Sequence, residues 1–402
     1  MCVFKAKLVY FQSIEYLSTM KIQRNISNSI IELIGKYPVI ALTGPRQSGK
    51  TTLLKSLFKE YEYVNLENPE IRSFAQSDPN GFLSRYHSKV ILDEAQRVPH
   101  LFSFIQAMVD ESGEMGQYIL SGSQNFHLMQ EITQSLAGRV AIFRLFPFDF
   151  VEMGNASLLE ADPFINMIRG FYPALYDRDI PSSAYYSNYI QTYVQRDVSE
   201  IIGIKNLNYF QNFLKVLATR AGQLLNLNDM ARQIGISQPT AKSWLSALEN
   251  SYIVFCLQPY FENFSKRIIK SPKLYFYDTG LLSYLLAIRK VDDLLTSSFK
   301  GNLFENLIIA NYVKKMHHLS QNHDIWFWRD SHGNEIDLVF ERNNQFIITE
   351  IKASKTINTD FFKGLNYFER IARDKNLRKQ VVYAGDLNQD RTMAKVLSWK
   401  DL

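Results

Sequence analysis

The 402-residue sequence predicts an α/β fold in more than one domain, and three observations carry that expectation. An apolar run, Val39-Ile-Ala-Leu42, leads into Gly44-Pro-Arg-Gln-Ser-Gly-Lys-Thr51 and then into a helical pattern. A second short apolar run, beginning at Lys89, closes on the adjacent acids Asp93 and Glu94. Near the end of the chain, two alternating runs joined by a turn carry Asp337, Glu350 and Lys352. The first two describe strands of a parallel sheet whose ends bear polar groups, and the third a separate α/β unit.

The first segment fills every fixed position of G-x-x-x-x-G-K-[ST], the phosphate-binding loop. Its glycines let backbone N–H groups curl towards phosphate, and the following helix adds the favourable end of its dipole. Gly44, Pro45, Arg46, Gln47, Ser48, Gly49, Lys50, Thr51 and Thr52 are therefore expected to bind ATP. Lys50 is expected to reach the β- and γ-phosphates, and the Thr51 hydroxyl to hold Mg²⁺.

A strand ending on two carboxylates supplies the other half of such a site. Asp93 is expected to bind Mg²⁺, directly or through water, and Glu94 to orient and deprotonate the attacking water. A third strand, Tyr118-Ile-Leu-Ser-Gly-Ser-Gln124, places Ser123 or Gln124 at the same sheet edge, where either can sense the γ-phosphate or position water. Between these strands, Pro99 to Val109 reads as an amphipathic helix with Leu101, Phe104, Ile105 and Met108 on one face. An apolar strand, Val140–Phe143, follows Leu136-Ala-Gly-Arg139.

In this order, the phosphate loop, Leu92-Asp-Glu-Ala-Gln96, Leu120-Ser-Gly-Ser-Gln124 and Leu136-Ala-Gly-Arg139 resemble an AAA+ superfamily ATPase of the subgroup fused to a C-terminal domain of unknown function. The resemblance runs from about residue 20 to 400 and includes Tyr189-Ile-Gln-Thr-Tyr-Val-Gln-Arg-Asp-Val198 and Ser271–Leu286. It implies an arginine finger just before the fifth core strand, acting on a neighbouring subunit's nucleotide; Arg139 occupies that place. Arg196, in the helical lid, is the next candidate for sensing phosphate.

Composition sets the outer limits. With 46% hydrophobic and 21% charged residues the chain has the makings of cores and is not a disordered polyelectrolyte. A net charge of +5 permits nucleic acid as a partner without demanding it. Cys2 and Cys256 are the only cysteines, which excludes a disulfide framework and fits a cytoplasmic location. No apolar run approaches membrane-spanning length, so no membrane association is expected. Met20 looks like a natural start, and residues 1–19 read as an extension without a folded role.

The middle of the chain carries no catalytic pattern of its own. Tyr185, Tyr186, Tyr189 and Tyr193 recur at helical spacing and read as lid core rather than a stacking platform for bases. From Leu227 to Leu245 the pattern is helix-turn-helix: Asn228 or Asp229 starts the first helix, Gly235 turns, Ser237 caps the second, and Pro239 sits in its first turn. Ile253–Leu257 then suits a wing strand. A groove-reading role would use Gln238, Thr240 and Lys242, yet Lys242 is the lone cation there, which favours a structural or protein-contact role. Lys266, Arg267, Lys270 and Lys273, with no acid among them, form the better phosphate-contacting set.

At the end of the chain, Asn334–Phe340 alternates as a strand with Asp337 at its centre, and Phe346–Lys352 follows a turn at Glu341–Asn344. Glu350 and Lys352 are two apart and share a strand face, so Asp337, Glu350 and Lys352 can converge. Two carboxylates can hold Mg²⁺ and the lysine can orient or activate water. This Asp-x₁₂-Glu-x-Lys spacing resembles the PD-(D/E)XK nuclease core. The resemblance implies Glu305, on the upstream helix Asn302–Ile309, as a further metal-binding acid, and an αβββαβ order completed by a helix near Asp360–Arg373 and a strand at Gln380–Ala384. The proline of that motif is absent here; Glu335-Ile336 stands before Asp337.

The expected organisation is an ATPase core (20–150), a helical lid (151–210), a winged-helix segment (211–290) and a restriction-endonuclease-like α/β domain (291–402). The expected activity is Mg²⁺-dependent ATP hydrolysis by a homo-oligomer. It serves either an action on nucleic acid, DNA in preference to RNA, with cutting left open, or a nucleotide-dependent switch that docks protein partners through an inactive nuclease-like domain.

Overall fold

The computed structural model describes residues 22–123, 125–194, 206–260, 270–320, 324–372 and 375–402, the side chains of 125–127 excepted. Five strands, β1 (Val39–Thr43), β2 (Glu62–Asn65), β3 (Val90–Asp93), β4 (Tyr118–Gly122) and β5 (Val140–Arg144), form one parallel sheet in the order β2-β3-β4-β1-β5. Alternate residues of each strand feed two separate cores. Val39, Ala41, Leu92 and Leu120 pack under the face that carries the helix α3 (Leu101–Ser112). Ile40, Leu42, Ile91 and Ile119 pack under α1 (Ser27–Ile34) and α2 (Lys50–Leu57). Covering both faces explains why β1 and β3 read as unbroken apolar runs rather than alternating ones. The helix expected from Pro99 begins at Leu101 and runs on to Ser112, where Gly113 takes the left-handed conformation that ends it.

Register fixes what meets at the sheet's carboxyl edge. Asn65, Asp93 and Ser121 are paired across β2, β3 and β4, and Thr43 of β1 pairs with Gly122 of β4. The chain that leaves Thr43 is the phosphate loop, so loop, acids and Ser121 share one edge.

Beyond the sheet, α4 (Phe150–Asn155) opens a largely helical region. Tyr185, Tyr186, Tyr189 and Tyr193 are buried there, with the Tyr172 and Tyr189 hydroxyls 2.8 Å apart and the Tyr186 hydroxyl donating to Asp278. Next come α5 (Leu207–Thr219), α6 (Leu227–Ile234) and α7 (Gln238–Asn250). The cap of α6 is Asn226, whose side chain accepts from Asp229 N, so the helix starts ahead of the expected Asn228 or Asp229. Gly235 has a φ of 82° at the turn, and Ser237 accepts from Thr240 N. An antiparallel pair, β6 (Val254–Leu257) with β7 (Lys273–Phe276), follows.

The last unit is built on α8 (Lys300–His318), then β8 (Ile325–Arg329), β9 (Glu335–Arg342), β10 (Gln345–Lys352), α9 (Lys363–Ile371) and β11 (Leu377–Tyr383), in αβββαβ order. Two further strands, β12 (Gln389–Asp390) and β13 (Lys395–Ser398), complete a six-stranded sheet ordered β12-β13-β11-β10-β9-β8. Strands β8 to β10 are antiparallel, whereas β10–β11 and β11–β13 are parallel. One sheet face packs on α9 through Leu365 and Phe368, and α8 packs with Leu338, Ile351 and Val382. One apolar cluster runs from Phe148 through the helical middle to Leu402, so the expected divisions at 210/211 and 290/291 lie within a shared core.

Candidate active sites

The phosphate loop has the backbone that its sequence requires. Gly44 has a φ of 146°, and a Cβ there would fall 2.1 Å from the carbonyl oxygen of Leu145 on the neighbouring stretch of chain. Gly49, at the cap of α2, has a φ of 94°. Lys50 is buried and its Nζ donates to the carbonyl oxygens of Gly44 (2.9 Å) and Pro45 (3.0 Å), curling over the loop. Burial lowers its ammonium to about 8, against the opposing pull of Glu94 and Asp93. Pro45 and Ser48 are buried in the loop, the Ser48 hydroxyl without a partner among the described residues, whereas Gln47 and Thr52 are exposed. The Arg46 guanidinium lies 5.7 Å from the ring centre of Tyr193.

Thr51 and Asp93, 42 residues apart, meet at this edge: Thr51 Oγ1 donates to Asp93 Oδ2 at 2.8 Å. Asp93 also accepts from the Tyr63 hydroxyl (2.7 Å) and from Ser121 Oγ. Glu94 has left-handed backbone, with φ 55°, and its Oε2 accepts from Gln96 Nε2 at 2.5 Å and Ser123 Oγ at 3.3 Å. A hydroxyl and a carboxylate oxygen in contact, beside a buried lysine at the glycine-bearing loop, fit a Mg²⁺–triphosphate.

Three further side chains at this edge have no role that the sequence motifs assign. Tyr63 comes from β2 and Gln96 from the turn after β3. Arg24 donates from Nη1 to the Ser48 carbonyl of the loop (2.9 Å), from Nη2 to Phe146 O (2.6 Å) and from Nε to Glu152 Oε1 (3.0 Å). Asp149 and Glu152 form the capping box of α4, and Asp149 Oδ2 lies 2.8 Å from His318 Nδ1 at the end of α8. Burial alone would raise the Asp149 carboxyl; hydrogen bonds from His318, Glu152 N and Asn25 hold it below its ordinary value.

Arg139 stands at the opposite end of the sheet. Its carbonyl accepts from Val39 N at the start of β1, so the length of β1, roughly 17 Å, separates it from the loop of its own chain. Its Nη2 pairs with Asp110 at 2.8 Å on the surface. Gln124, Arg196, Lys266 and Arg267 lie outside the described residues.

In the C-terminal unit Asp337, Glu350 and Lys352 do converge. Lys352 Nζ is 2.6 Å from Glu350 Oε2 and 3.8 Å from Asp337 Oδ2, and Asp337 Oδ2 also accepts from Ile351 N. Gly364 of α9 makes room, since a Cβ there would fall 2.2 Å from Glu350 Oε1. Glu305 joins through different neighbours: one carboxylate oxygen from each of Glu305, Glu335 and Asp337 lies within 4.8 Å of the other two.

A cation already sits among those three acids. Lys273 Nζ is 2.8 Å from Glu305 Oε1 and 3.9 Å from Asp337 Oδ1, and also bridges to Glu335. Tyr275, two residues along the same strand, donates to Glu305 at 2.6 Å. The expectation of a phosphate-contacting Lys273 is thereby corrected: the residue is 1% exposed, and Lys270 alone of that set is described at the surface. Burial would lower the Lys273 ammonium, but Glu305, Asp337 and Glu335 hold it well above its ordinary value. Burial and Asp337 push Glu305 up to about 7 and Glu350 up to about 8. Glu335 and Lys273 are the members of this cluster whose place in it no motif signals.

Comparison with known proteins finds three family models along the chain. A family model described as an AAA domain matches residues 36–154, and two domains of unknown function match residues 165–292 and 300–402. Uncharacterized proteins of Mycobacterium bovis and Mycobacterium tuberculosis are each 30% identical over 346 residues, covering 85% of this chain and 76% of theirs. An uncharacterized protein of Haemophilus influenzae is 20% identical over 327 residues, covering 73% and 78%. Among solved structures, a Walker-type ATPase of Pyrococcus abyssi is similar with a TM-score of 0.45 and 13% identity, over 67% of this chain and 99% of that one. No helix among the described residues is long and apolar enough to cross a membrane.

Proposed function

The chain belongs to the same family as its mycobacterial relatives, with an AAA domain at its front, and from that premise we propose that it is a Mg²⁺-dependent ATP hydrolase. The observation that carries this reading is the meeting of Thr51 Oγ1 and Asp93 Oδ2 at 2.8 Å beside Lys50 and Glu94. When bound, Mg²⁺ supplies charge neutralisation on the transferring phosphoryl group. Thr51 and Asp93 would hold it, Tyr63 and Ser121 would fix the Asp93 carboxylate, and Lys50 would swing from the Gly44 and Pro45 carbonyls to the phosphates. Glu94 takes a proton from water as its oxygen bonds the γ-phosphorus; the bond to the β-phosphate oxygen breaks and ADP leaves. Arg139, remote from its own loop, serves a neighbouring subunit, and the protein works as a homo-oligomer. The test is phosphate release by the wild type, Lys50→Ala and Glu94→Gln, with and without Mg²⁺.

The task served is an action of the rear of the chain on nucleic acid, DNA in preference to RNA. The αβββαβ order, the convergence of Asp337, Glu350 and Lys352, and a helix-turn-helix with an antiparallel strand pair read as a winged helix support it. A specific observation favours a second reading, in which the nuclease-like domain is inert and docks protein partners. Lys273 occupies the space among Glu305, Glu335 and Asp337 that a divalent ion would need. Labelled DNA incubated with ATP, Mg²⁺ and either wild type or Asp337→Ala separates the two: cleavage lost with Asp337 supports the first, and no cleavage by either supports the second.

A further inference from the structure

We infer that Gln96 positions the base Glu94, and that Gly122 leaves the space that lets it do so; the inference rests on the ATPase reading above. Gln96 follows Glu94 by two residues in a single 3₁₀ turn, Ala95–Arg97, entered through the left-handed backbone of Glu94. A non-glycine residue in that conformation is held there by its surroundings. The turn sends the Gln96 side chain back over the edge of the sheet, where it is 6% exposed and donates from Nε2 to Glu94 Oε2 at 2.5 Å.

Ser123 Oγ donates to the same oxygen, so both donors fall on Oε2. Oε1 of Glu94 accepts no hydrogen bond among the described residues and is the atom left to take a proton. Fixing one carboxylate oxygen and freeing the other is what a general base needs to meet water in one geometry.

Gly122, the last residue of β4, is part of the same arrangement. A Cβ there would stand 2.2 Å from Gln96 Oε1 and 3.0 Å from its Cδ. Its φ is not in the left-handed region, and the other near atom, Leu128 Cδ2, is at an ordinary 3.4 Å. An alanine at 122 would therefore be accommodated by the backbone and would displace the flexible end of Gln96. Gln96 Oε1 is itself buried with no partner among the described residues. That unpaired acceptor costs free energy, and the charge-assisted bond from Gln96 Nε2 to the Glu94 carboxylate offsets it.

Steady-state ATP hydrolysis by wild type, Gln96→Leu, Gly122→Ala and the double variant tests this. Each single variant should lose about tenfold in kcat with KM for ATP within about twofold, because the base is misplaced while the phosphate loop is untouched. The double variant should be no slower than Gln96→Leu, since Gly122→Ala acts only by moving the side chain already removed. Unchanged kcat in Gln96→Leu, or losses that multiply in the double variant, overturn the inference while leaving the ATPase reading standing. A wild type that hydrolyses no ATP removes that reading and this inference with it.

Discussion

Lys273 on β7 and Glu305 on α8 meet at 2.8 Å, and the lysine is 1% exposed. A buried ammonium is tolerated only when carboxylates compensate for its lost hydration, and Glu305, Glu335 and Asp337 do so here. Lys273→Met leaves those acids facing one another. The variant should unfold earlier in denaturant, by about 3 kcal/mol, and millimolar Mg²⁺ should restore part of the loss. An unchanged midpoint would show that the lysine contributes no net compensation.

Glu350 gives the same cluster a pH signature. Burial and Asp337 raise its carboxyl from 4.5 to about 8, so the folded protein keeps a proton that the unfolded chain has released. That contribution is complete below about 4.5 and is lost as pH rises through about 8. Lys352, which Asp337 and Glu350 hold above its ordinary value against the effect of burial, stays charged throughout. Denaturant midpoints should fall between about pH 5 and 8, and Glu350→Gln should flatten the fall. A wild-type profile that is level or rises over that range contradicts the assignment.

Lys50 predicts a proton linked to nucleotide binding. With its ammonium lowered by burial to about 8, part of the free protein is neutral there at mildly alkaline pH, while the phosphates favour the charged form. Calorimetric titration with ATP near about pH 8.5, in buffers of different ionisation enthalpy, should report proton uptake. Lys50→Met should abolish it. Identical apparent enthalpies in all buffers would count against this role.

Arg139 predicts activity in trans. Mixing Lys50→Ala with Arg139→Ala should recover ATP turnover that neither shows alone, because a mixed interface pairs an intact loop with an intact arginine. Turnover per chain that is independent of dilution, with no recovery on mixing, would return Arg139 to its surface pair with Asp110.

The front of the fold was legible because its signals are local. The strand before Gly44, the loop and the helix after it are contiguous, and the parallel sheet covered on both faces makes β1, β3 and β4 stand out as apolar runs. Asp337, Glu350 and Lys352 were legible for a similar reason, since one hairpin brings them together. The burial of Lys273 was not, because none of the three acids that compensate it lies near it in the sequence; the first of them, Glu305, is 32 residues further on. Tyr63 reaches Asp93 from β2, and Arg24 reaches Ser48 from the irregular stretch before α1; neither segment carries a motif. The cap of α6 lies at Asn226 rather than Asn228 because Asn226, Asn228 and Asp229 all suit a helix start, and tertiary packing chooses among them.

Phosphate release by Glu94→Gln beside the wild type tests the central claim most directly. Mg²⁺-dependent turnover by the wild type is expected, with a loss of at least about a hundredfold in Glu94→Gln and ATP still bound. Equal turnover by the two proteins, or turnover without Mg²⁺, would contradict it.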